Sequence, residues 1–168
     1  MTRMKRFTQL AALLTVALLA GCSALSPYST ETKLNLKISA SDQLNPDQNG
    51  RPSPIVLRLL ELKHPTAFEN ADFFTLYERA KESLAQDLVS DEEIELRPGE
   101  SLDLKLTVGN GNRYVGVLAA YRDLPETQWR YTVQVVPMGL TKVNLTLDDL
   151  GIHNIDADAK AKLAKADK

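Results

Sequence analysis

Polar and apolar residues alternate along this chain with two different periods, and the switches between them mark its elements. Leu34, Leu36 and Ile38 fall on one side of the stretch from Lys33, with Asn35 and Lys37 opposite, the pattern of a half-buried strand. "SDQLNPDQNGRPSP", Ser41 to Pro54, ends the alternation with three prolines, a glycine and a cluster of Asn, Asp and Gln, which predicts a long loop. Ile55–Leu62 is apolar on both faces except for Arg58 and Glu61, as suits a central strand covered on both sides. After His64-Pro65 the period becomes helical. Thr66, with Glu69 three residues on, matches a capping box, in which hydroxyl and carboxylate each satisfy a free backbone N–H. Phe68, Ala71, Leu76, Tyr77 and Ala80 then recur at helical spacing, and Asp72 is placed to cap a second helix beginning at Phe73. Residues 66–83 therefore read as one kinked helix or two short ones, docked on the strands by their apolar face.

Alternation resumes downstream. Ile94 and Leu96 begin a third strand, Pro98-Gly99 turns the chain, and Leu102, Leu104, Leu106 and Val108 alternate strictly. "GNGN", Gly109 to Asn112, is a second turn. Arg113–Arg122 is again apolar on both faces, and Gly116 within it leaves room for a close neighbour. Arg130–Val136 and Thr141–Leu147 complete the set. Seven strands at short spacing with one helical insertion, between strands 2 and 3, predict a mainly β, two-sheet sandwich over residues 33–155. Asp156–Lys168 is alanine and charge with a single leucine, too little apolar surface to order itself, and is expected to be a disordered tail rather than a frayed helix.

The first residues follow neither period. Arg3, Lys5 and Arg6 precede Leu10–Leu19, apolar save Thr15, the layout of an export signal over residues 1–21. Ten residues are too few to cross a bilayer, which takes about 20. Ala20 and Gly21 are small, as a signal-peptidase site requires, and the chain's only cysteine follows them. Leu19-Ala20-Gly21-Cys22 resembles a bacterial lipobox. That resemblance implies a diacylglycerol on the Cys22 thiol, cleavage after Gly21 and acylation of the new amino group. Two or three acyl chains hold a protein on its membrane where one does so only marginally. Ser23 follows the cysteine in place of the Asp that signals inner-membrane retention, which points to the outer membrane. Residues 23–32, small and polar, read as a tether, which at about 3.5 Å per residue reaches at most about 35 Å.

Charge and chemistry narrow the function mainly by exclusion. The full chain carries a net charge of −2, and the signal removes three basic residues and no acid, so the mature protein is more acidic still. Nucleic acid would be repelled. With Cys22 alone there is no internal disulfide and, once it is acylated, no thiol nucleophile. His64 and His153 lack metal-ligand spacing, and no serine lies in a Gly-x-Ser-x-Gly setting. "LTVGNGNRY" lacks the glycine spacing and the Lys-Ser/Thr ending of a phosphate loop, and "SDEEIE", Ser90–Glu95, lacks the glycine and donor spacing of a calcium loop and reads as a solvated acidic edge. No cofactor, metal or catalytic residue is expected, and the protein is not expected to be an enzyme.

Ser41–Pro54 is longer than a compact domain needs, and loops beyond about 12 residues are either functional or merely tolerated. Asn45, Pro46, Asp47, Gln48, Asn49, Gly50 and Arg51 combine proline stiffness with varied hydrogen-bonding groups, and Arg51 is the expected charge-assisted donor. Arg51-Pro52-Ser53-Pro54, Ala71-Asp72-Phe73, Arg97-Pro98-Gly99, Ala120-Tyr121-Arg122-Asp123 and Trp129-Arg130, together with the lipobox, resemble the TssJ family, outer-membrane lipoproteins of the bacterial type VI secretion system. The resemblance spans most of residues 33–150, with Leu60 standing where an aromatic is expected. It implies a transthyretin-like sandwich and a non-enzymatic role, namely binding the periplasmic C-terminal region of the inner-membrane protein TssM through the loop between the first two strands, here Ser41–Pro54. An alternative is a lipid-anchored sandwich that grips cell-wall glycan through exposed aromatics such as Tyr121 and Trp129.

Overall fold

The computed structural model describes residues 31–109 and 111–159. The expected signal peptide, Cys22, the tether up to Thr30 and residues 160–168 of the tail lie outside the described residues. Eight strands form two four-stranded sheets: β1 (Thr32–Ala40), β2 (Ile55–Leu62), β3 (Leu88–Leu96), β4 (Ser101–Val108), β5 (Tyr114–Ala119), β6 (Arg130–Gln134), β7 (Leu140–Leu147) and β8 (Ile152–Asn154). One sheet runs β4-β1-β7-β8 and the other β3-β2-β5-β6. Neighbours are antiparallel except β1 and β7, which are parallel. Two helices, α1 (Thr66–Asn70) and α2 (Phe73–Leu84), lie between β2 and β3 in sequence and are followed by a 3-10 turn, Ala85–Asp87.

The two-residue period of β1 becomes the core between the sheets. Leu34, Leu36 and Ile38 are wholly buried and stand in register with Leu106, Leu104 and Leu102 of β4 and with Thr141, Val143 and Leu145 of β7. β2 serves two cores. Ile55, Leu57 and Leu59 face the other sheet, while Leu60 and Leu62 face the helices, where they meet Phe68, Phe73, Leu76, Ala80 and Leu84. The helices thus form a third layer over the second sheet.

The two charged residues of β2 are both put to structural use. Arg58 donates from Nε to Asp91 Oδ1 of β3 (3.0 Å) and pairs with the second oxygen of that carboxylate through Nη2. Its Nη1 donates to the carbonyls of Leu76 and Tyr77. The helix kinks two residues after Tyr77, where Arg79 leaves helical geometry at φ −134°. Glu61 accepts from Ser90 Oγ, Asn112 Nδ2 and the Gly109 N–H, so it ties the edge strand and the Gly109–Asn112 turn to the central strand. Asp91 is accordingly drawn out of the solvated acidic edge expected for Ser90–Glu95.

The helical insertion consists of two helices, the second of them kinked. Asp72 caps α2 as its spacing predicts, accepting from the Thr75 N–H (3.0 Å). The Thr66/Glu69 capping box does not form: α1 starts from Pro65 with no side-chain cap, and the Glu69 N–H donates to the Pro65 carbonyl. Several strand boundaries differ from the sequence pattern, β6 among them, which ends at Gln134 rather than Val136. β3 starts at Leu88, ahead of Ile94, because it is an edge strand whose acidic residues hide the alternation. β5 ends at Ala119; the Ala120 N–H still donates to the Val56 carbonyl of β2 (2.9 Å), and Tyr121 and Arg122 lie beyond the strand. β8, three residues long, is too short to show a period. Residues 155–159 are helical and exposed.

At Gly116 the helical layer sits close against the sheet. A Cβ there would lie 2.9 Å from the ring of Phe68, which is wholly buried and has nowhere to swing. Gly116→Ala is expected to destabilise the fold by about 1–3 kcal/mol, read as a lowered urea midpoint with unchanged slope.

Candidate partner-binding site

Three connections meet at the end of the sandwich where β1, β5 and β7 stop. They are the β1–β2 loop, the β5–β6 loop with its 3-10 turn Leu124–Glu126, and the β7–β8 turn. Together they line an open concavity of about 750 Å³.

The β1–β2 loop is built rather than slack. Leu44 plugs into the core and is wholly buried, and its carbonyl accepts from the Ser53 N–H (3.0 Å), which closes the root of the loop. Asn45 is also buried and adopts φ +46°, a left-handed conformation that Asn tolerates better than most residues. Its Nδ2 donates to the Pro54 carbonyl (3.0 Å), and its Oδ1 accepts from the Arg122 N–H (2.9 Å), joining this loop to the β5–β6 loop. Asp47 holds the tip: Oδ1 accepts from the N–H groups of Asn49 (2.8 Å) and Arg51 (2.9 Å), and Oδ2 accepts from Arg51 Nε (2.8 Å). The hydrogen bonds from Arg51, then that from Asn49, hold the Asp47 carboxyl below its ordinary value.

The other two walls are fastened in the same manner. Asp148 Oδ1 accepts from the Leu150 and Gly151 N–H groups and lies 3.1 Å from His153 Nε2. Gly151, at φ +131°, lies against the backbone of Gln128, 2.5 Å from where a Cβ would be; the Gln128 N–H donates to Leu150 and the Ile152 N–H to Gln128. Tyr121 forms part of the lining yet is almost wholly buried, and among the described residues its hydroxyl has no hydrogen-bond partner. Burial, then the carboxylates of Asp148 and Asp149, push its phenol up, so it stays neutral. Asp47, Asp123, Glu126 and Asp149 outnumber Arg122 along the lining, and the rim carries Leu150, 62% exposed.

The seven residues expected from sequence fall into two groups. Pro46, Gln48, Asn49 and Gly50 are at least partly exposed and accessible at the tip, whereas Asn45 and Asp47 are occupied in holding the loop together. Arg51 is also engaged, on Asp47, although its side chain remains 75% exposed. Residues of the β5–β6 and β7–β8 connections join the site without any signal in the periodicity, because strand pairing rather than sequence proximity brings them there. Sugar binding needs aromatic faces in solvent, and Tyr121, expected to supply one in the glycan alternative, is buried. Trp129 is half-buried, edge-on to Phe73 (5.4 Å between centroids), with the Arg130 guanidinium 4.5 Å from its own centroid. His64 and His153 each lie beside one aspartate, Asp87 and Asp148, and among the described residues no cluster of His, Cys, Asp and Glu is arranged to hold a metal.

The family model T6SS-SciN, described as type VI secretion lipoprotein, VasD, EvfM, TssJ, matches residues 32–150. Among solved structures, the type VI lipoprotein TssJ1 from Pseudomonas aeruginosa is 37% identical at a TM-score of 0.73, over 74% of this chain and 95% of that one. Lip from Serratia marcescens, a membrane-bound component of the type VI secretion system, is 25% identical at 0.68, over 74% and 97%. A chain of a type VI membrane complex shares the fold at 24% identity and 0.65, over 74% and 98%. No curated protein matches the chain by sequence.

Two measurements probe the loop. Asn45→Ala removes both loop-joining hydrogen bonds and strains a left-handed backbone, and should cost about 1–3 kcal/mol, measured by thermal denaturation. The lowered Asp47 value means that its carboxylate contributes to folding above the ordinary aspartate value of 3.8 and that this contribution is lost as pH falls through the lower, folded value. Carboxyl-detected NMR should show Asp47 titrating below that ordinary value, with the Asn49 and Arg51 amide shifts moving in step.

Proposed function

The chain belongs to the type VI secretion lipoprotein family, and from that membership we propose that it anchors the secretion complex at the periplasmic face of the outer membrane. Lipids on Cys22 supply the hold on the membrane, and the loop Ser41–Pro54 grasps the periplasmic C-terminal region of TssM. The observation that carries this reading is the position and stiffness of the loop. β1 runs nine residues from Thr32 to Ala40, about 30 Å at the rise of a strand, so the tether enters at one end of the sandwich and the loop leaves at the other. A lipid-held domain of this shape offers its loop away from its own attachment.

Two further features support it. The tip is already closed by Asp47 and the root by Asn45, so little ordering entropy remains to be lost on binding. Chains of this fold also occur in structures described as a type VI membrane complex and as the TssM C-terminal domain. Confinement of both partners between two membranes raises their effective concentration, so a modest interface suffices. The excess of carboxylates along the concavity favours a partner surface carrying Lys or Arg.

The residues to change are those that face outward without holding the loop. Gln48→Ala with Asn49→Ala should weaken binding of the TssM periplasmic region about tenfold, about 1.4 kcal/mol, by calorimetry, while the thermal midpoint stays as in the parent. Unchanged affinity would move the interface off this loop.

A further inference from the structure

At the opposite end of the sandwich the chain passes from β6 to β7 through a tight turn, in which the Gly139 N–H donates to the Val136 carbonyl (3.2 Å). Pro137 is second in this turn and Met138 third. Met138 takes φ +54°, a conformation for which glycine or asparagine is the ordinary occupant of that turn position. The result is a large apolar side chain held in water against its backbone preference. Met138 is 69% exposed, Val136 58% and Leu140 51%. Seven large hydrophobics are exposed among the described residues, and three of them fall within these five positions, so this tip is the densest apolar projection on the domain.

Its neighbour in space is the start of β1. The Lys33 N–H donates to the Gly139 carbonyl (2.8 Å), and the Met138 N–H donates to Thr32 Oγ1 (3.0 Å), with Thr32 itself buried. The turn is thereby fastened to the residue at which the tether enters the domain. Thr32 lies only ten positions beyond Cys22 in the sequence, at most about 35 Å when fully extended. If acyl chains at Cys22 enter a bilayer, the tether keeps this end of the domain within about 35 Å of it, and the apolar tip lies within its reach. Lys142, exposed and two residues beyond Leu140 on the same side of β7, places a cation behind the tip at a depth suited to lipid phosphates.

We propose that the Val136–Leu140 turn is a membrane-seating tip: Val136, Met138 and Leu140 enter the interfacial layer of the bilayer that holds the Cys22 lipids. The proposal rests on the lipid-anchor reading above. The seated tip turns a flexible leash into a two-point attachment and orients the opposite loop away from the lipid surface.

The test uses the full chain in its acylated form, reconstituted in vesicles of phosphatidylethanolamine and phosphatidylglycerol. Because acylation consumes the only native cysteine, Met138→Cys carries a single environment-sensitive fluorophore. Leu140→Cys provides a second site on ordinary strand backbone, and Gln48→Cys a distant control. The expected result is blue-shifted emission at positions 138 and 140, with at least half the intensity lost on substituting brominated phospholipid, and neither change at position 48. Vesicle-bound protein whose probes at 138 and 140 emit as in water, or are shielded yet insensitive to brominated lipid, would overturn the tip. Failure of the anchor reading is seen separately, as a native chain of unmodified mass that does not float with vesicles.

Discussion

The structure depends on β2 being buried on both faces. A strand with Ile55, Leu57 and Leu59 on one side and Leu60 and Leu62 on the other cannot lie in a two-layer sandwich with one face in water. It requires a second sheet beneath and a cover above, and α1 and α2 are that cover. Neither helix is long enough to be stable by itself; their order comes from Phe68, Phe73, Leu76, Ala80 and Leu84 packing onto the strand. Arg58 and Glu61 work with the same constraint. Set in the middle of an apolar strand, each recruits groups from separate elements, and burial of those groups makes their pairing worth more than it would be at the surface.

A sandwich held this firmly gives its two ends different roles. The sheets fix where β1, β5 and β7 stop, and the three connections at that end are then stiffened by hydrogen bonds to Asp47, Asn45 and Asp148. None of these side chains needs to meet a partner to matter for binding, since they decide the shape that Gln48 and Asn49 present. At the other end the entry of β1 is bound to the β6–β7 turn, so whatever holds the N-terminal residues acts directly on the rigid body. A pull on one end is transmitted to the other through the nine residues of a core strand rather than through a loop.

Much of this was legible in the residues, where local chemistry and period agree. The alternation in β1, β4 and β7, the double-faced β2, the cap at Asp72 and the room beside Gly116 all follow from side-chain pattern and backbone allowance. The misreadings have local causes as well. Thr66 and Glu69 have the composition of a capping box, but Pro65 sits at the cap position and the chain enters α1 without side-chain help. An edge strand rich in carboxylates hid most of β3, and a three-residue strand left β8 invisible.

By itself the sequence determined the class of domain, the long loop, the lipobox-like segment and the absence of recognisable catalytic motifs, because each is a matter of residue type and spacing along the chain. Tertiary structure alone decided that Arg122, Asp123, Glu126 and Asp149 share a concavity with Asn45–Asn49, that Tyr121 is buried rather than offered to a ligand, and that Met138 stands beside Thr32. The physical reason is common to all three. Strand pairing brings together residues tens of positions apart, 77 of them between Asn45 and Arg122 and 106 between Thr32 and Met138, and no short-range pattern encodes such a meeting.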